Sequence, residues 1–177
     1  MNKLFSSLAI ISILVLTGCA DVTNIKHNED KNVVLDSKAK TYITIPEDGR
    51  YGNGVIYSGS GAIVSGIVLS AFSMKILTLD LAEKTQSLDE ALTYARNQSY
   101  DYIISPTILH WEDRNTAWSA RPSKASIRII VVDVKTGNII DSAVIDARSS
   151  SVRMTDPSPE DALPKPVADY VNSLSFK

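Results

Sequence analysis

Leu4 to Leu16 is an apolar run interrupted only by Ser6, Ser7 and Ser12. Lys3 precedes it, and Thr17-Gly18-Cys19 follows at once. A cationic start, an apolar stretch and small residues at a cut site are the order of a secretory signal. A helix that spans a bilayer needs about 20 apolar residues. This run is shorter, and Asp21 closes it. The reading sets residues 1–18 aside as leader and leaves 19–177 to build the fold, enough for one domain and hardly for two. Cys19 is the only cysteine of the chain. Whatever folds must therefore hold without a disulfide framework and without a Cys-rich zinc site.

The tetrapeptide Leu16-Thr17-Gly18-Cys19 resembles the lipobox of bacterial lipoproteins. The resemblance implies lipid on the Cys19 sulfur, cleavage before Cys19 and acylation of the new amino terminus. Thr17 and Gly18 are small enough for a protease groove, and the thiol is a soft nucleophile. More than one acyl chain gives stable membrane anchoring, at ~0.8 kcal/mol per buried CH₂. In such lipoproteins an Asp directly after the lipidated cysteine retains the protein at the inner membrane. Ala20 stands there, with Asp21 one place later, so the resemblance implies the outer membrane and a periplasm-facing domain.

Residues 19–40 read as the lipidated terminus and a tether. From Asp21 to Lys40 the chain holds Asp21, Glu29, Asp30 and Asp36 against Lys26, Lys31, Lys38 and Lys40, with little periodicity. A flexible tether of this length spans roughly 25 Å root-mean-square. A short edge strand at Asn32 to Leu35 is the alternative for its end, and His27 reads as solvated.

Residues 41–177 read as one globular domain of the α/β (α+β) class, with helices packed on a mixed sheet of about five strands in the order β-α-β-α-β-β-β-α. Thr41 to Ile45 alternates like a strand and stops at Pro46. Asp48-Gly49 and Asn53-Gly54 are turn signals. Gly61 to Phe72 predicts a helix, capped by Ser58 or Ser60, with Ala62, Ile63, Ile67, Val68, Ala71 and Phe72 inward. Ile76 to Leu81 predicts a strand. Ser87-Leu88-Asp89-Glu90 is a capping box, and Leu88, Ala91, Leu92 and Ala95 form the stripe of the helix that it opens. Strands follow at Asp101–Trp111, Lys124–Val134 and Ile139–Ala147, the last two joined by a tight turn at Lys135-Thr136-Gly137-Asn138. A closing helix falls within Ala162–Leu174, its start delayed by Pro164 and Pro166.

A helix leading into Tyr100-Asp101-Tyr102-Ile103-Ile104 and then a long hairpin is similar in topology to the periplasmic α/β domain of the TolB amino-terminal region, the curli secretion lipoprotein and the penicillin-binding-protein activator lipoprotein. Ile45-Pro46-Glu47-Asp48-Gly49-Arg50-Tyr51-Gly52, the Gly59-Ser60-Gly61 turn and Pro106 to Arg114 with Trp118 resemble a bacterial lipoprotein family of unknown function, domain of unknown function 4823. That resemblance implies an envelope role and supplies no activity.

Catalytic constellations are hard to assemble. Gly59-x-Gly61 would need glycine at 64 for a dinucleotide fingerprint, and Val64 is there; a phosphate loop over Gly61 and Gly66 would need lysine where Ile67 stands. A Ser-His-Asp hydrolase must use His110, and the chain has no Gly-x-Ser-x-Gly elbow. Glu112, Asp113, Asp133 and Asp141 could supply paired carboxylates, but such residues more often bound exposed strand ends. With 18 basic and 20 acidic side chains the net charge of −2 argues against a nucleic-acid partner. No metal and no cofactor is implied. The densest polar-aromatic cluster is His110-Trp111-Glu112-Asp113-Arg114 with Trp118 and Arg121. Tryptophan and arginine are enriched at binding hot spots, so Trp111, Arg114, Trp118 and Arg121 form the candidate interaction surface. Period-two alternation puts His110, Glu112 and Arg114 on one face, and Trp111 and Asp113 on the other.

The sequence thus points to a membrane-anchored envelope lipoprotein, lipidated at Cys19. It acts as a non-enzymatic module that binds an envelope protein or assembles with itself. The alternatives are a small-ligand or glycan binder with an aromatic platform at Trp111 and Trp118 or, in third place, a hydrolase around His110.

Overall fold

The computed structural model describes residues 23–27, 33–52, 54–113, 122–149 and 158–177. Residues 1–18, expected to be a leader, and Cys19, Arg114, Trp118 and Arg121 lie outside the described residues. In chain order the elements are β1 (Thr23–His27), β2 (Val34–Leu35), β3 (Lys40–Ile45), β4 (Arg50–Tyr51), β5 (Val55–Ile56), α1 (Ser60–Phe72), β6 (Thr78–Thr85), α2 (Leu88–Asn97) and β7 (Tyr102–Glu112). After them come β8 (Lys124–Asp133), β9 (Ile139–Arg148), α3 (Pro159–Ala162), α4 (Pro164–Ser173) and β10 (Ser175–Phe176).

Six strands make one mixed sheet in the order β1-β9-β8-β7-β3-β6. β3 runs parallel to β6 on one side and to β7 on the other. The remaining pairs, β7–β8, β8–β9 and β1–β9, are antiparallel. Parallel neighbours need crossovers, which α1 and α2 provide, and the two crossovers run in opposite directions across β3. With one handedness for both, the helices must fall on opposite faces, and they do.

Strand alternation feeds both faces. Tyr42 and Ile43, Ile103 and Ile104, and Val132 and Val131 point to opposite sides. Under α1, α3 and α4 the larger core gathers Ile43, Ile104, Ile127, Ile129 and Ile145 with Val64, Val68, Phe72, Val167 and Tyr170. Under α2 the smaller core joins Ala91 and Ala95 to Tyr42, Ala82, Tyr100, Ile103 and Val132. Tyr170 of α4 is pinned to β9 by a buried hydrogen bond from its hydroxyl to Asp141 Oδ2. Burial, that bond and the carboxylate charge together push the Tyr170 phenol pKa far upward.

Four details depart from the sequence reading. Thr23–His27, placed in the tether, pairs along β9 as the sixth strand of the sheet. Val34-Leu35 pairs in parallel with β10, and Leu35 is buried in the larger core. β6 begins at Thr78 rather than Ile76 and carries Asp80, Glu83 and Lys84. Such residues are tolerated on an edge strand, which has a neighbour on one side only. α4 starts at Pro164 itself, with Pro166 also in its first turn, where backbone N–H groups have no helical acceptor to lose.

The inward face of α1 is the largest correction. Ser60, Gly61, Val64, Ser65, Val68 and Phe72 are buried, whereas Ala62 and Ile63 face out and Ile67 is half-buried. The helix is apolar nearly all round, so its pattern cannot choose a face. Close approach to the chain around β3 chooses it. Ser65 Oγ donates to the Thr44 carbonyl at 3.1 Å, and a Cβ on Gly61 would lie 2.3 Å from the Pro46 carbonyl oxygen. The cap is also remote. Gly59 is the N-cap residue at φ 88°, and the Asp48 carboxylate accepts from the Gly59 and Gly61 N–H groups at 3.1 and 2.9 Å.

Candidate interaction surface

Trp111, which the sequence offers as part of an interaction surface, is buried, 2% exposed, in the larger core. Its indole lies against Gly49, where a Cβ would stand 2.5 Å from Trp111 Cβ. Trp111 is therefore scaffold, and Gly49 is what admits it. His110 and Glu112 do share a face, as the alternation predicts, with His110 Nε2 3.5 Å from Glu112 Oε2. The Tyr51 ring stands edge-on to His110 at 5.5 Å between centroids. Arg114, Trp118 and Arg121 lie outside the described residues.

Pro46, Asp48, Gly49, Gly59, Gly61 and Trp111, drawn from three separate stretches of sequence, converge on one structural knot. Asp48 caps α1, Gly61 seats α1 on Pro46, and Ser60 Oγ accepts the Gly49 N–H at 2.8 Å. The carboxylates do not converge. Glu112 meets His110, Asp133 Oδ1 closes the β8–β9 turn by accepting from the Thr136 N–H and hydroxyl, and Asp141 holds Tyr170. Among the described residues no three of His, Cys, Asp and Glu are grouped to hold a metal ion. No described helix is long and apolar enough to cross a membrane.

A cleft of about 700 Å³ opens where β3 and β6 end, between the start of α2 and the middle of β7. Glu47, Arg50, Gln86, Glu90, Ser105 and Thr107 face it. Several of these groups already serve the fold. Thr44 Oγ1 donates to Ser105 Oγ, Tyr42 Oη donates to Gln86 Oε1, and Glu90 accepts from the Ser87 N–H in the capping box. Those bonds to Ser87 hold the Glu90 carboxyl pKa below its usual range.

Apolar surface collects elsewhere. No charged residue occurs from Tyr51 to Met74, a stretch that includes all of α1. Because Gly61, Val64, Ser65 and Val68 face the sheet, Ile63 is turned to solvent. At the carboxyl end of α1, Met74 is 81% and Leu77 80% exposed. Beside them a shallow groove is lined by Gly66, Leu69, Ser70, Ile76, Leu77 and Leu79. Its Leu79 belongs to β6, one of the two edge strands of the sheet, and Leu81 of β6 is also exposed. Apolar side chains and a strand with no partner on its outer side among the described residues thus share one flank of the molecule. Sequence reading missed this flank because it assigned Ile63 and Ile67 to the core.

A family model described as "Domain of unknown function (DUF4823)" matches residues 34–174. No curated protein matches the chain. Among solved structures, the PelC dodecamer from Paraburkholderia phytofirmans is similar in fold, with a TM-score of 0.69 at 15% identity over 88% of this chain and 99% of that one. Protein XCC0632 from Xanthomonas campestris has a TM-score of 0.50 at 10% identity, covering 81% of this chain and 85% of that one. The LpoB C-terminal domain from Salmonella enterica reaches a TM-score of 0.46 at 16% identity, over 67% and 87% of the two chains.

Proposed function

The chain belongs to the family described as domain of unknown function (DUF4823), and from that premise we propose that it is an envelope lipoprotein, anchored through an acylated Cys19 at the outer membrane and facing the periplasm. It works there as a non-enzymatic interaction module whose first partner is another copy of itself. The observation that carries the reading is the flank formed by α1, Met74, Leu77 and the free edge of β6. Apolar groups so exposed mark interaction surfaces, and an unpaired strand edge offers backbone hydrogen bonds to a partner. The similar PelC structure is described as a dodecamer, which makes a second copy the occupant to test first.

The full-length lipoprotein, extracted in mild detergent, is expected to sediment as an oligomer. Leu77→Asp and Met74→Asp should shift it to a monomer that still folds and melts cooperatively, because both side chains are about four-fifths exposed and lie outside the core. A photo-crosslinker at position 77 in living cells should give an adduct of twice the chain's mass. A monomeric wild type, or an adduct only with a different protein, would overturn self-assembly. Cys19→Ser should leave an uncleaved precursor or free the domain from the membrane; a variant processed normally and still in the outer membrane would sink the anchor. The cleft at the ends of β3 and β6 supports a second reading, small-ligand binding, but the internal bonds of its lining favour the interaction module.

A further inference from the structure

We infer that the β4–β5 hairpin rests on the membrane surface into which Cys19 is anchored, with Tyr51, Val55 and Ile56 against the lipid. The inference builds on the acylated Cys19 proposed above and adds which part of the domain meets the bilayer. Its basis is a length and a row. Three residues, and so four Cα-to-Cα steps, separate Cys19 from Thr23, the first residue of β1. Fully extended, they reach at most about 14 Å. Where β1 starts, the bilayer is therefore close.

The row across the sheet says what else lies at that level. Thr23 is in register with Ala147, Ala147 with Ala125, and Ala125 with Trp111. Three strand spacings carry the row about 14 Å sideways. It ends at Trp111, against which Gly49 packs, and Gly49 immediately precedes the hairpin. The Tyr57 N–H returns to the Gly49 carbonyl at 3.0 Å, which closes the hairpin's base at the same place. The anchor and the hairpin thus share one end of the molecule.

The hairpin is composed for such a contact. Val55 is 58% and Ile56 52% exposed, and Tyr51 is exposed beside them. Arg50 is the one charged residue from Gly49 to Tyr57, and the turn carries none, while Asp48 just before the base is taken up by the Gly59 and Gly61 N–H groups. Aliphatic side chains with a tyrosine, whose ring has an apolar body and a polar tip, suit the boundary of headgroups and acyl chains. Met74 and Leu77 lie beyond the other end of α1, whose 13 residues span about 20 Å. The membrane contact and the self-association flank are therefore separate surfaces.

Full-length lipoprotein carrying Val55→Cys, Ile56→Cys or Met74→Cys tests this directly. Once Cys19 is acylated, the introduced thiol is the only one free to label. Each variant, labelled with an environment-sensitive fluorophore, is reconstituted into phosphatidylethanolamine–phosphatidylglycerol vesicles with or without nitroxide-bearing lipid. Positions 55 and 56 should be quenched several-fold more strongly by the nitroxide lipid than position 74. Equal quenching at 55 and 74, with mass spectrometry finding Cys19 acylated, overturns the inference and leaves the anchor standing. Unmodified Cys19 overturns both. A blue shift at 55 without lipid quenching assigns the hairpin to a protein contact, and the inference falls.

Discussion

Two glycines at the knot between β3, α1 and β7 are held by contact rather than by a turn. At Gly49 a methyl group would meet Trp111 Cβ at 2.5 Å, and at Gly61 it would meet the Pro46 carbonyl at 2.3 Å. Gly66, five residues further along the same helix, has nothing within 4 Å of the same position. Glycine to alanine should therefore change sign along one helix. Gly61→Ala and Gly49→Ala are expected to destabilise by about 1–3 kcal/mol through overpacking, with Gly61 the worse because backbone must yield. Gly66→Ala is expected to stabilise by about 0.5–1 kcal/mol through helix propensity. Thermal melts of the three variants decide it. Tyr170 gives a second test. Its phenol titrates above the ordinary value of 10.0 in the fold, so above that pH the unfolded chain loses a proton that the folded chain keeps. Stability from this residue is complete below pH 10 and falls by about 1.4 kcal/mol per pH unit above it. Tyr42 and Tyr100 are raised too, Tyr42 chiefly and Tyr100 first by burial, and act in the same direction. Tyr170→Phe should cost about 1–3 kcal/mol at neutral pH by leaving Asp141 without its partner, and should flatten the alkaline decline. A decline as steep as wild type in urea titrations at pH 9 to 11 would count against this assignment.

Among the elements, the short strands β2 and β10 matter more than their size suggests. The Lys177 N–H donates to the Leu35 carbonyl at 3.0 Å, and the Ser37 N–H donates to the Lys177 carbonyl at 3.1 Å. Leu35 is buried between them and the core. A fragment covering 33–177 is expected to melt cooperatively, and one covering 41–177 to melt at clearly lower temperature, since losing a buried leucine costs about 2–5 kcal/mol. Equal melts by circular dichroism would place the domain start at 41. These elements also mark what the sequence could and could not disclose. α2 was legible because its signal is local: Ser87 Oγ accepts from the Glu90 N–H, as the four residues Ser87 to Glu90 require. β3, β7, β8 and β9 were legible from alternation in long apolar strands. β2, β4, β5 and β10, at two residues each, have no period to read. Trp111 was misplaced for another reason. Alternation does put Trp111 opposite His110 and Glu112, but a period of two says which residues share a face and not which face is covered, and Gly49 and the larger core cover the Trp111 side.

For the whole molecule, the helices are distributed so that one flank remains bare. α1, α3 and α4 cover one face and α2 part of the other, while the outer side of α1 and the edge of β6 are left to a neighbour. If that neighbour is a second copy, stability becomes linked to association. The melting temperature of the lipoprotein should then rise with protein concentration, and Leu77→Asp should remove the dependence. The pairing of residues 34 and 35 with 175 and 176 also has a temporal consequence. A chain delivered amino terminus first through a translocation channel presents Leu35 early and its cover about 140 residues later. Nearly the whole domain must emerge before that contact can form, and contacts so distant along the chain are slow to close. Leu35 is thus covered through a contact that reaches across nearly all of the described chain, so its burial belongs to the end of folding and not to its start.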